Sequence, residues 1–129
     1  FDPVSGVVRI IDPRGRWGSS LYGDIRYDLA KLRHSVAGGY EHIINDCFTL
    51  AKDGNRCTLT ITTRPYHTEV RSALDTLIAK RWNLSQVQFI EGLLFLSMIP
   101  LHTERKERQL AMFCIGLERL NDVLTTTSL

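Results

Sequence analysis

Phe89-Ile90-Glu91-Gly92-Leu93-Leu94-Phe95-Leu96-Ser97-Met98-Ile99-Pro100-Leu101 is the most apolar stretch of the chain. A run of this kind is either a bilayer span or the central helix of a folded core. It contains Glu91 and falls short of the ~20 apolar residues that a span requires. It therefore predicts a central buried helix that starts near Leu84, turns apolar nearly all round from Phe89, and ends before Pro100. Ser85 with Gln88, or Asn83 with Gln86, offers a capping box at its start.

Helical patterns flank this segment on both sides. After it, Leu110, Phe113, Cys114, Leu117, Leu120 and Leu124 form an inner stripe over about Glu104 to Leu124, with Thr125 to Leu129 as a tail. Before it, Val70, Ala73, Leu74, Leu77 and Ile78 form a stripe over about Thr68 to Trp82. Upstream of Pro65, Lys52-Asp53-Gly54-Asn55 is a hairpin signal between two strand-like runs. A two-residue turn at Asp53-Gly54 would pair Leu50 with Cys57 and Thr60 with Cys47. Ile44, Phe48, Leu50, Leu59 and Ile61 would then share a buried face. Tyr27 to Val36 reads as a further helix with Leu29, Leu32 and Val36 at helical spacing, stopped by Gly38-Gly39. The fold expected is α+β and mostly helical, with small antiparallel β-hairpins. We divide it into residues 1–38, a hairpin over 40–64 and a helical bundle over 66–125.

The 129 residues amount to about one domain. A chain that is 43% hydrophobic and 23% charged excludes disorder, collagen and fibrous coiled coil. A net charge of +2 gives no support to nucleic-acid binding. The basic residues Arg105, Lys106 and Arg108 are interleaved with Glu104 and Glu107, the pattern of a solvated helix face. Cys47, Cys57 and Cys114 are an odd number without zinc-ligand spacing. Cys47 and Cys57 fall on opposite sheet faces, so no disulfide joins them and a cytoplasmic location is expected. His34, His42, His67 and His102 show no metal spacing and read as helix-surface or capping residues.

The first residues carry the functional signal. Phe1-Asp2-Pro3-Val4-Ser5-Gly6 reads as the tail of one strand and a turn, and Val7 to Ile11 as the next strand. A strand entering at residue 1 leads us to expect one part of a longer protein. Val7-Val8-Arg9-Ile10-Ile11-Asp12 then places a carboxylate at the end of an apolar strand. Such an Asp either begins a turn or offers an oxygen ligand to a hard cation such as magnesium. Arg14, Arg16 and Trp17 follow it. Arginines there either sit in a solvated loop or grip a phosphate or acidic substrate. Arg16 fits the solvated loop better. Next comes Gly23-Asp24-Ile25-Arg26-Tyr27-Asp28-Leu29-Ala30, in which Asp24 reads as a helix cap and Asp28 as a first-turn acid.

Ile10-Ile11-Asp12-Pro13-Arg14-Gly15 followed by Gly23-Asp24-Ile25-Arg26-Tyr27-Asp28-Leu29-Ala30 resembles the aminoglycoside phosphotransferase and choline kinase superfamily. The form with Asp-Pro-Arg-Gly is similar to a bacterial branch associated with surface and capsular polysaccharide. The resemblance covers residues 1 to 38 well and the rest loosely. It implies a C-terminal lobe fragment of a protein-kinase-like fold. Asp12 would bind magnesium bridging the ATP phosphates, and Asp28 would brace the catalytic loop by accepting backbone N–H bonds. Arg14 would contact phosphate or substrate. The catalytic His-Gly-Asp of the family is absent from this sequence, so no catalytic residue is expected within it. That loop and the ATP-gripping lobe would lie upstream. Magnesium and ATP would serve the complete parent protein, and none is expected for the fragment alone.

Two readings from different classes follow. One is the substrate-side portion of a phosphotransferase acting on a hydroxyl of a small sugar, polyol or amino alcohol, with no nucleic acid and no membrane span. The other is a non-catalytic helical domain that binds another protein. Oligomeric state is not legible in either.

Overall fold

The computed structural model describes residues 4–5, 18–20 and 22–127. The expected strand over residues 7–11 and the loop after it lie outside these. The elements run α1 (Ile25–Val36), α2 (Tyr40–Ile44), β1 (Phe48–Asp53), β2 (Arg56–Ile61), α3 (Pro65–Ala79), α4 (Leu84–Met98), a 3-10 turn at Ile99–Leu101, and α5 (Lys106–Thr127). The class is α+β and mostly helical, with one two-stranded antiparallel hairpin among the described residues.

Local chemistry sets the boundaries. Asp24 caps α1 by accepting the Arg26 backbone N–H at 2.9 Å. Asn83 caps α4 by accepting the Gln86 N–H at 3.1 Å. The Gln86 side chain does not complete a box; its Oε1 accepts from Arg26 Nη1 at 2.8 Å and ties the starts of α1 and α4 together. Pro65 stands at the first turn of α3, where a missing N–H costs nothing, so this helix starts before Thr68. His67 acts there as a capping residue, Nδ1 accepting the Arg64 N–H at 2.8 Å.

The hairpin departs from the expected register. Asp53 pairs with Arg56, Leu50 with Leu59 and Lys52 with Cys57, so the turn is Gly54-Asn55. Gly54 has φ +56, and Asn55 is not among the positive-φ residues. A turn with left-handed backbone only at its first central residue is centred on the glycine. Partners shift by two residues, an even number, so Phe48, Leu50, Leu59 and Ile61 still share a face. Phe48, Leu59 and Ile61 pack on the core with Ile44.

Helix α4 is the centre, with α5 along one side and α1 along another. By length and composition Leu84–Leu101 is apolar enough to cross a bilayer. Here it is a core helix that buries Glu91 together with Val87, Gly92, Leu94 and Phe95. It is not buried all round, because Phe89 and Leu93 are exposed.

Two apolar clusters result. Ile43, Phe95, Ala111, Met112 and Ile115 form one, and Ala30, Ile78, Val87 and Leu94 the other.

Three expected stripes are corrected in part, since Leu29, Leu74 and Ile78 do pack on the core as their spacing indicates. On α1, Ala30, Arg33 and His34 face inward and Leu32 is half exposed. On α3, Val70 and Leu77 are exposed and Ile78 is the buried residue. On α5, Ala111, Met112, Ile115 and Gly116 are buried while Phe113, Leu117 and Leu124 are exposed. The helix also continues to Thr127, through part of the expected tail.

Size explains the rotation of α5. Gly92 of α4 and Gly116 of α5 face each other. A Cβ added to either would lie 3.2 Å from the other's carbonyl oxygen and under 3.0 Å from Leu120 or Leu96. Close approach of two helices selects small residues, and the bulky ones turn outward.

Where the two clusters meet, Arg33 and Glu91 are both fully buried and ion-paired. Arg33 also grips Asp75 of α3 through Nε at 2.7 Å and Nη2 at 3.0 Å. Removing one member of a buried pair strands the other charge, and such losses cost about 3–5 kcal/mol. Arg33→Met should therefore lower the unfolding free energy in urea by that order. Arg33→Met combined with Glu91→Leu should recover much of the loss. A single variant as stable as the parent would show that the pair does not hold the helices.

Candidate functional site

Asp12 and Arg14, with Arg16 and Trp17, lie outside the described residues. Asp28 sits in the first turn of α1 and is exposed. Any backbone N–H that it braces would belong to residues beyond those described. Asp24 is engaged by Arg26, whose Nε lies 2.9 Å from both carboxylate oxygens. The side-chain bond to Arg26 and the backbone cap hold its carboxyl below the usual range. Asp24 is thus a cap, as its place in the sequence indicates. Among the described residues no group of three or more His, Cys, Asp or Glu is arranged to hold a metal.

The other end of α1 carries a richer arrangement. The chain leaves the helix through Ala37 and Gly38, whose N–H groups donate to the Arg33 carbonyl at 2.7 and 2.9 Å. Gly38 is wedged tightly. A Cβ there would lie 2.6 Å from Phe95, 2.7 Å from Glu91 and 2.7 Å from the His34 carbonyl. This segment forms one wall of a cleft of about 630 Å³, closed by β2 and α5 and reached by Arg71 of α3.

The charges behind that wall form a chain. Among the described residues neither Glu91 Oε1 nor Arg119 Nε, 3.9 Å away, has a hydrogen-bond partner. Burial pushes the Glu91 carboxyl up, against the pull of Arg33 and Arg119. Burial also works against the Arg33 charge, but its bonds to Asp75 and Glu91 outweigh it and keep the guanidinium protonated. Arg119 lines the cleft from α5, together with Glu118 and Cys114. Cys57 of β2 lines it too. Burial first, then this neighbour, raises the Cys114 thiol. All three cysteines are free.

Sequence reasoning missed Arg33, Glu91 and Arg119. The available signal was Glu91 itself, since a lone carboxylate inside an apolar run needs a buried cation. On α5, the expected basic face does form surface pairs. Arg108 holds Asp46 through Nε at 2.9 Å and Nη2 at 3.0 Å, and Glu104 at 3.2 Å.

His34 corrects another expectation. It is buried rather than on a helix surface, with ring centroids 4.1 Å from Phe95 and 4.6 Å from Tyr40. Its Nε2 has no hydrogen-bond partner among the described residues. Burial, helped by Lys31, pushes its pKa down to about 4 from 6.5. A folded-state pKa below the unfolded one favours the neutral ring. The stability is complete above pH 6.5 and is lost as pH falls toward 4. Linkage puts the loss at about 2 kcal/mol by pH 5. The lowered carboxyls of Asp24, Asp46 and Glu104 act below that window. The raised Glu91 acts with opposite sign, so a paired comparison is needed. Urea midpoints should fall from pH 7 to pH 5 in the parent and much less in His34→Phe. Equal slopes would show that His34 titrates normally.

No protein-family profile, curated protein or solved structure matches this chain.

Proposed function

We propose that this chain is the substrate-side portion of an ATP-dependent small-molecule phosphotransferase of the protein-kinase-like fold. Its acceptor is a hydroxyl of a sugar, polyol or amino alcohol, and its setting is the cytoplasmic assembly of surface polysaccharide. One observation carries the reading. Ile10-Ile11-Asp12-Pro13-Arg14-Gly15 precedes Gly23-Asp24-Ile25-Arg26-Tyr27-Asp28, and the second motif coincides with the capped start of α1.

In this reading Asp12 holds the magnesium of magnesium-ATP, a cation that neutralises phosphate charge during transfer. In this reading the further oxygen ligands come from a catalytic loop, as the family resemblance implies. Arg14 meets a phosphate or acidic substrate, since guanidinium matches their paired oxygens. Asp28 accepts N–H bonds from that loop. Its carboxylate is exposed, while the opposite side of α1 is anchored through Arg33.

The second reading, a non-catalytic helical domain that binds another protein, draws on the exposed Phe89 and Leu93 of α4 and Phe113 and Leu117 of α5. Apolar exposure of this kind marks interaction surfaces.

The experiment is phosphoryl transfer by the complete protein, paired with thermal melts. Asp12→Asn keeps the side-chain size and removes the charge. It should cut activity to below about a hundredth with an unchanged melting temperature. Asp28→Asn should lower both activity and stability, by about 1–3 kcal/mol for charged hydrogen bonds lost. Arg16→Ala should change little. Near-normal activity of Asp12→Asn at saturating magnesium would remove the main support for the kinase reading.

A further inference from the structure

We propose that the cleft between β2 and α5 binds the phosphate group of a small phosphorylated metabolite, with Arg56, Arg71 and Arg119 as its anion contacts. The proposal does not rest on the phosphotransferase reading, because every residue it uses belongs to the cleft itself.

Three elements, β2, α3 and α5, each send one arginine to this cleft. Glu118 is the one carboxylate among the lining residues. Neither Arg56 nor Arg71 has an ion-pair partner among the described residues. Arg119 is only loosely compensated. Its Nε stands 3.9 Å from Glu91 and its Nη1 4.0 Å from Asp122, beyond hydrogen-bond distance. The surplus of positive charge matches a phosphate monoester, which carries about −1.5 to −2 at pH 7.

The dimensions and chemistry of the walls narrow the ligand. About 630 Å³ lies within the range of roughly 300–1,000 Å³ typical of small-molecule sites. Leu59, Ile61 and Ile115 supply an apolar wall for a carbon skeleton. A sugar phosphate suits both features. A nucleic acid would need a basic stripe running on past the cleft, and the arginines beyond it, Arg105 just before α5 and Arg108 on it, are already paired with Asp46.

The cleft contains its own reporters. Cys57 and Cys114 line it, and Cys47, exposed and not among the lining residues, serves as control. The test measures alkylation of each cysteine in the 129-residue chain by iodoacetate and by iodoacetamide. The ratio of the two rates cancels thiol ionisation and leaves the local preference for an anion. That ratio at Cys57 should fall by at least about threefold in Arg56→Gln/Arg71→Gln while Cys47 does not move. Both arginines are exposed and have no ion-pair partner among the described residues, and an unchanged melt confirms that the variant folds. Glucose 6-phosphate should protect Cys57 and Cys114 saturably in the parent, with glucose ineffective. A ratio that ignores the arginines, or protection by glucose equal to that by its phosphate, would overturn the site. Tighter protection by glucuronate than by glucose 6-phosphate would overturn the phosphate assignment.

Discussion

Arg33 carries a full positive charge at a position that water does not reach, and the helices are arranged to satisfy it. Asp75 of α3 takes two of its nitrogens, Glu91 of α4 a third, and the far oxygen of Glu91 looks toward Arg119 of α5. Four helices are thereby referred to one point. Apolar contacts are tolerant of small rotations, whereas a buried charge is satisfied only within hydrogen-bond geometry. The clusters on either side, around Val87 and around Phe95, supply the driving force for collapse. The charge network selects which of the many apolar packings is adopted.

This division explains what was legible in the chain. Capping residues, turn glycines and helical spacing act over a few positions, so α1, the hairpin, α3, α4 and α5 could all be read from the sequence. The hairpin's inward face was legible too, but the inward faces of the helices were so only in part. Helix α5 has apolar residues on several sides, and periodicity cannot say that Ala111 and Gly116, rather than Phe113 and Leu117, meet α4. That choice depends on how closely two helices approach. Arg33 looks like a surface residue because its partners are 42 and 58 positions away. The cleft is harder still, being assembled from a helix exit, a strand and two helices, none with a motif of its own. Of the candidate site, Asp24 was placed correctly as a cap and Asp28 as a first-turn acid. Asp12 and Arg14 lie outside the described residues.

Helix α1 joins the two regions of chemical interest. Its first turn carries Asp24 and Asp28, and its exit through Ala37 and Gly38 forms a wall of the arginine-lined cleft. Between them Arg33 fastens it to α3 and α4. Twelve residues of helix measure about 18 Å, the scale of an elongated small-molecule substrate. A group positioned at one end is held in fixed relation to whatever occupies the other.

The glycine contact between α4 and α5 limits how these two helices can move. Gly92 and Gly116 lie near the middle of their helices and touch through backbone atoms. If α5 slid along α4 by one turn, Met112 or Leu120 would take the place of Gly116, and its side chain would run into the Gly92 backbone. The crossing therefore behaves as a pivot rather than a slide. Force applied at one end of the pair reaches the other as a tilt about that point, with the direction reversed and the lever arms nearly equal.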